Sequence, residues 1–282
     1  MTLIVGIKCA DGIVLGSDGA ATLGSLGQST VRQAIEKIEV ISNAALIGVS
    51  GPVGLAQYFI HELQEAWEKK EFSGKTPVEA RKILERRFWP HVESEVNRAN
   101  VVRQVIAPQV VIQSVVSSVL VALPVSKSPC LFQFNQQCSS EEATENLPFV
   151  AIGSGQAIAD PFLAFIREIF LKDQVLKVNG GTFAALWTLR HAIRTHPGGV
   201  ADPISLAQLT HDGKDWMARR LEEPDLLEHQ QMIDELEGRM SGLKETLAGN
   251  RKLVGEILVE EGTITEEQLQ KALEIQAGAA GR

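Results

Sequence analysis

The sequence predicts an α+β domain, two sheets packed face to face with helices over both outer faces, followed by an α-helical extension. Two observations carry this. The apolar patterning over residues 1–212 runs strands, two helices, strands, two helices, strand, the order of a sheet-on-sheet core with a helical layer on each side. Beyond it, over residues 213–282, the chain changes character, and residues 222–247 repeat with a seven-residue period.

Each element has a local cause. Residues 2–9 and 13–18 are β-branched runs flanking Asp11-Gly12, a hairpin signal. Ile38–Ile41 and Ala45–Val49 form a second strand pair across Ser42-Asn43. Gly51-Pro52-Val53-Gly54 turns into a helix on which Leu55, Phe59, Leu63 and Trp67 recur at helical spacing. A second helix starts at Thr76, with Pro77 at its first position and Glu79 closing a capping box, and runs to about Asn100. The β-rich runs Val110–Val125 and Cys130–Phe134 come next, then a polar loop from Asn135 to Asn146 and a short strand at Phe149–Ile152. Helices are expected near Gln156–Leu171 and Gly181–His196, and strand-like residues Ile204–Leu209 close the domain.

In the extension, Leu226, Ile233, Met240 and Leu247 share one heptad position, with His229, Leu236 and Leu243 three residues later. Gly238 and Gly242 weaken this helix, each by up to about 1 kcal/mol relative to Ala. It therefore needs a partner surface, either its own core or another copy. A helical hairpin ends the chain, with Leu253, Ile257 and Leu258 on its first helix, Gly262 as a stop and Thr265-Glu266-Glu267-Gln268 as the second capping box.

Composition narrows the function classes. Apolar content is 44 % and charged content 22 %, ordinary for a soluble globular protein. A net charge of −8 argues against a nucleic-acid surface. Cys9, Cys130 and Cys138 have no metal-ligand spacing and read as reduced thiols. No His pair has metal-binding spacing, so no metal or cofactor is expected. Lys8 and Asp11 interrupt the N-terminal apolar run, and Val110–Val125 is too short and polar to span a bilayer. A cytoplasmic protein without membrane contact is expected.

Thr2 is the residue with the most chemistry in it. A threonine after Met1 is a substrate for methionine aminopeptidase, and Met1 removal leaves a hydroxyl and an α-amine of pKa about 8 on one residue. The residues after Thr2 give this weight. The stretch TLIVGIKCADGIVLGSDGAATLG at residues 2–24 resembles the start of a proteasome-type peptidase, an N-terminal-nucleophile hydrolase. The resemblance continues at EKIEVI (36–41), GVSGPVG (48–54) and AIGSG (151–155), and covers roughly residues 2–210. The long chain and helical extension are most similar to the bacterial proteasome homologues.

The resemblance implies a four-layer αββα sandwich and a threonine peptidase that encloses its active sites in stacked homo-oligomeric rings. It implies Thr2 as nucleophile, Lys37 as the cation that lowers the pKa of its amine, and Asp18 as the partner of Lys37. It also implies the Gly51 N–H as oxyanion donor and Ser154 as the group that orients the amine. Ala21, Val49 and Val53 would line the first specificity pocket, with Thr22 a further substrate-binding position, so uncharged apolar side chains are the expected preference. Peptides and proteins are the implied substrates, and an ATP-dependent unfoldase is a possible partner that the sequence does not identify.

Two features qualify this. The family carries an Asp-x-x-Ser pair before a Gly-Gly; here Gly198-Gly199 is preceded by Arg194 and Pro197, with Thr195 a partial substitute. An inactive proteasome-like ring acting as scaffold or binding chamber is therefore the alternative, and an amidase acting on a small molecule a further one. The assignment also demands a register. A two-residue loop at Asp11-Gly12 places Asp18 on the face opposite Thr2; a three-residue loop with Gly12 left-handed pairs Cys9 with Ile13 and Ile4 with Asp18, on the face of Thr2. The three-residue loop is expected.

Overall fold

The computed structural model describes residues 2–25, 28–105, 115–172, 175–196, 199–243, 259, 262 and 265–271. In chain order its elements are β1 (Ile4–Cys9), β2 (Gly12–Ser17), β3 (Ala20–Ser25), β4 (Gln28–Ala34), β5 (Ile38–Ile41), β6 (Ala45–Ser50), α1 (Val53–Glu68), α2 (Pro77–Val105), β7 (Ser118–Val125), β8 (Ser128–Phe134), β9 (Ser140–Glu142), β10 (Phe149–Ile152), α3 (Gln156–Phe170), α4 (Val178–Thr195), β11 (Ser205–His211), β12 (Trp216–Arg220) and α5 (Glu223–Gly242). The chain divides into two compact units, Met1–Gln230 and Gln231–Arg282.

The first unit is α+β, with two five-stranded antiparallel sheets ordered β10-β1-β2-β11-β12 and β5-β6-β7-β8-β9. Ile4, Ile13 and Leu15 of the first sheet and Leu46, Leu120 and Leu131 of the second form one buried cluster, so inward faces of both sheets share a core. On the other side of the second sheet, Ile47, Val121 and Phe132 pack with Leu55, Phe59 and Leu63 of α1 and Phe88 of α2. Phe88 meets Phe59 and Phe134 at centroid distances of 4.6 and 5.3 Å. Thr76 caps α2 as its sequence implies: the Glu79 N–H donates to Thr76 Oγ1, and the Thr76 N–H donates to Glu79 Oε2 at 2.8 Å.

Several expectations are corrected. The β1–β2 turn is neither of the two loops considered. Cys9 pairs with Gly12 and Ile4 with Ser17, so the two-residue turn is Ala10-Asp11 and Asp18 falls opposite Leu3, not opposite Ile4 as the assignment demanded; it meets the chain beside Thr2 through the Leu3 N–H instead. The Asp11 side chain is turned to α4, where its Oδ1 accepts the Val178 N–H at 2.8 Å. Gly12 is a strand residue without positive φ. It is glycine because β11 lies too close: a Cβ there would sit 2.3 Å from the Leu209 carbonyl oxygen.

The polar loop at 135–146 contains β9, whose Glu142 pairs with Phe132. Residues 20–25 and 28–34, for which no strands were expected, pair antiparallel as β3 and β4. The strand expected from Val110 begins only at Ser118, and residues 106–114 lie outside the described residues. The boundary at 212/213 also moves. Residues 216–220 are a strand, not part of a helical extension: β12 pairs with β11, and the first unit continues to Gln230.

Of the heptad positions, Leu226, His229 and Ile233 are buried, while Met240 and Leu243 are about half exposed. Leu247, Leu253, Ile257 and Leu258 lie outside the described residues. Gly262 has φ +69° and suits a helix stop. Thr265 and Gln268 form the expected capping box, with the Thr265 N–H donating to Gln268 Oε1 at 2.8 Å.

Candidate active site

The chain leaves β2 at Asp18, whose side chain is sealed from solvent and accepts four hydrogen bonds. Oδ1 takes the Leu3 N–H at 2.8 Å and the Lys37 ammonium at 2.5 Å; Oδ2 takes the N–H groups of Ala20 and Ala201 at 3.2 and 3.3 Å. The side chains of Asp18 and Lys37 are 0 % and 3 % exposed. A buried ion pair is tolerable only when its remaining hydrogen-bonding capacity is used, and the three backbone donors meet that condition for the carboxylate. The Lys37 carbonyl accepts the Val49 N–H at 3.4 Å, which ties its backbone to β6.

Thr2 lies just before β1 and is held by the turn after β10. Pairing of Ile4 with Ile152 brings Gly153-Ser154-Gly155 beside it. The Thr2 N–H donates to Ser154 Oγ at 3.2 Å, and the Thr2 carbonyl accepts the Gly155 N–H at 3.2 Å. An N-terminal amine formed at this nitrogen would thus begin within hydrogen-bond reach of a hydroxyl.

Gly51 sits between β6 and α1 with φ +152°. A Cβ there would lie 2.2 Å from Ser117 Oγ and 2.8 Å from Ser117 Cα, so both conformation and space require glycine. The start of α1 has Pro52 as N-cap, no side-chain cap and no acidic residue in its first turn. The positive end of a 16-residue helix therefore stands uncompensated two residues from Gly51.

The expected specificity residues are less concentrated. Val49 is half-buried against the cluster under α1 and α2, which is a core position, and Val53 is 53 % exposed on the first turn of α1. Ala21 and Thr22 lie on β3, opposite Gln33 and Arg32. Arg194 is exposed in the last turn of α4, and the Thr195 hydroxyl donates to the His191 carbonyl at 2.8 Å within that helix. Pro197 lies outside the described residues.

Sequence reasoning missed the backbone donors of Ala20 and Ala201, which hold the second oxygen of Asp18. No side-chain signal marks them, because any residue but proline supplies an N–H and Ala201 is 183 positions away. It also missed Ser117, which closes the space behind Gly51.

The proteasome subunit family model matches residues 2–164, more than half of the chain. The chain belongs to the proteasome subunit family. All four stretches that carry the sequence resemblance, at 2–24, 36–41, 48–54 and 151–155, fall inside the match. Proteasome subunits beta from two strains of Halobacterium salinarum are 40 % identical to this proteasome-family chain over 63 residues, 22 % of the chain and 25 % of each relative. The chain thus aligns with only a quarter of the length of these relatives.

Solved structures extend the likeness of fold. Anbu (ancestral beta-subunit) from Yersinia bercovieri superposes with a TM-score of 0.63 at 17 % identity, covering 89 % of this chain and 98 % of that one. A helical assembly of the Anbu complex from Pseudomonas aeruginosa gives 0.64 at 16 %, covering 86 % and 96 %. Among the described residues, no helix is long and apolar enough to cross a membrane.

Proposed function

We propose that this chain is a threonine-type endopeptidase of the proteasome family, with Thr2 as its N-terminal nucleophile after Met1 removal. The observation that carries the reading is the buried Asp18–Lys37 pair, whose shared carboxylate oxygen also binds the N–H of the residue after Thr2. A lysine is costly to bury, and this one is sealed in on the carboxylate that binds the residue after Thr2.

Removal of Met1 frees the α-amine of Thr2. Lys37 lowers the pKa of that amine by like-charge repulsion, so more of it is unprotonated at neutral pH. Thr2 Oγ attacks the peptide carbonyl, and its proton passes to the amine directly or through one water. The Gly51 N–H, at the positive end of α1, binds the oxyanion. The proton then moves to the departing amine, leaving an ester on Thr2 that water hydrolyses. Ser154, 3.2 Å from the Thr2 nitrogen, orients the base. The chemistry needs no cofactor or metal.

The reading includes a four-layer αββα arrangement, supported by the shared core of the two sheets and the packing of α1 and α2 outside one of them. It includes self-association into a closed or stacked assembly that encloses the sites; the helical assembly of the Pseudomonas aeruginosa relative supports association of some kind. In this reading Val53, Val49, Ala21 and Thr22 would line the first specificity pocket and favour uncharged apolar side chains before the scissile bond. A cytoplasmic location is part of the same proposal.

A second reading, a proteasome-like scaffold without turnover, draws on Arg194 and Thr195. The hydroxyl that could replace the missing family serine is engaged within α4. One experiment separates the two. The purified protein is treated with a peptide epoxyketone, which reacts with hydroxyl and amine together, and examined by intact and N-terminal mass spectrometry. An adduct on Thr2 that is lost in Thr2→Ala supports the peptidase. Free Thr2 without adduct supports the scaffold, and quantitative retention of Met1 excludes the peptidase.

A further inference from the structure

Arg220 is the last residue of β12, a strand outside the residues matched by the family model. Its guanidinium reaches across to the second sheet. Nη2 donates to the Ile38 carbonyl at 2.9 Å and to Glu39 Oε2 at 3.0 Å, and Nη1 forms an ion pair with Glu36. The Ala218 N–H donates to the Asn43 carbonyl at 2.8 Å, so β12 also fastens the β5–β6 turn. The residues gripped by Arg220 are 36, 38 and 39. They bracket Lys37, whose ammonium points away to Asp18.

We propose that Arg220 is a positioning residue for Lys37: it holds the backbone carbonyl just after that lysine and draws in and neutralises the Glu36 and Glu39 carboxylates on either side of it. The inference rests on the peptidase reading above. Two physical consequences make it specific. The clamp fixes where the Lys37 side chain starts, opposite the anchorage that the Val49 N–H provides at 3.4 Å. The charge keeps Glu36 and Glu39 from offsetting the positive field of Lys37 at Thr2. Burial already pushes the Glu39 acid up from its ordinary range, so an ionised Glu39 benefits from a cation at its side. Only a planar fork can hold a carbonyl and two carboxylates at once, which lysine cannot do.

The test is the pH profile of epoxyketone labelling at Thr2 in the full chain. Arg220→Gln is expected to slow labelling about tenfold near neutral pH. It should also move the acidic limb of the profile upward by about half a pH unit, because unpaired carboxylates raise the pKa of the amine. Adding Glu36→Gln and Glu39→Gln should return the limb to its original position while the rate stays low. Arg219→Gln serves as control, since Arg219 pairs with Asp225.

An Arg220→Gln protein that folds and labels with the original rate and profile overturns the proposal, as does an equal effect from Arg219→Gln. Should Arg220→Gln fail to fold, Arg220→Lys carries the test. It keeps the charge but not the threefold grip, and an unchanged rate overturns the clamp. Absence of labelling in the unsubstituted protein is a different result: it defeats the peptidase reading and this inference with it.

Discussion

The ammonium of Lys37 lies 2.5 Å from Asp18 Oδ1, with both side chains sealed from solvent, on the oxygen that also accepts the N–H of Leu3. One atom thereby links the cation to the backbone immediately after Thr2. The contact is local in space but joins three separate parts of the chain.

Asp18→Asn leaves Lys37 buried without its counter-charge. Breaking a buried pair from one side costs about 3–5 kcal/mol, whereas removing both charges costs less. Urea unfolding should therefore find Asp18→Asn less stable than the double variant Asp18→Asn with Lys37→Met. Neither should label at Thr2. A double variant no more stable than the single one would contradict the account of the pair.

Gly51→Ala places a methyl group against Ser117 at a φ that side chains rarely adopt. A loss of roughly 1–3 kcal/mol in stability is expected. Labelling should fall further than stability explains, because the displaced N–H no longer meets the oxyanion. Full labelling by a folded Gly51→Ala protein would remove Gly51 from the mechanism.

Thr76→Ala removes the cap of α2 and should lower stability by about 1 kcal/mol. Glu79→Ala acts in the same direction, and in the double variant the two effects should be less than additive because they share one reciprocal motif. Labelling of Thr2 should not change. Chemical denaturation of the three variants checks this.

His229 gives a pH dependence with a definite sign. Burial pushes its imidazole below the ordinary value of 6.5, against a smaller opposite pull from Glu228. The folded state therefore binds fewer protons than the unfolded chain in this range, and stability is lost as pH falls through about 6.5. His229→Gln should flatten the difference in unfolding free energy between about pH 7.5 and about pH 5.5. An equally steep loss in the variant assigns the slope to other groups.

The three thiols should be inert in the native protein. Burial raises Cys9 to about 12 and Cys130 and Cys138 to about 11. Iodoacetamide at about pH 8 should modify them only after denaturation, because the thiolate is the nucleophile. Mass spectrometry of native and denatured samples reads the difference.

Much of the fold was legible in the sequence where the signal is local. The spacing of Leu55, Phe59 and Leu63 marks the buried face of α1, and the Thr76–Glu79 and Thr265–Gln268 motifs mark helix starts. Polar strands were not legible: β9 is Ser-Glu-Glu, and pairing with β8 rather than propensity makes it a strand. β12 escaped for a related reason, since its two arginines read as surface until β11 pairs with them.

By itself the sequence determined the family, through stretches that fall inside residues 2–164, and it named Thr2, Asp18, Lys37, Gly51 and Ser154 as the residues proposed to carry the chemistry. The tertiary structure alone decided how they meet. The first hairpin took a register that turn chemistry did not foresee, because Asp11 is held by α4 and Gly12 by the close approach of β11. Asp18 consequently bonds Leu3, and its other oxygen finds the N–H of Ala201. Periodicity and capping act within a few residues and can be read along the chain. Register, backbone donors and the grip of Arg220 on the strand that follows Lys37 come from packing between distant segments, and only the folded chain expresses them.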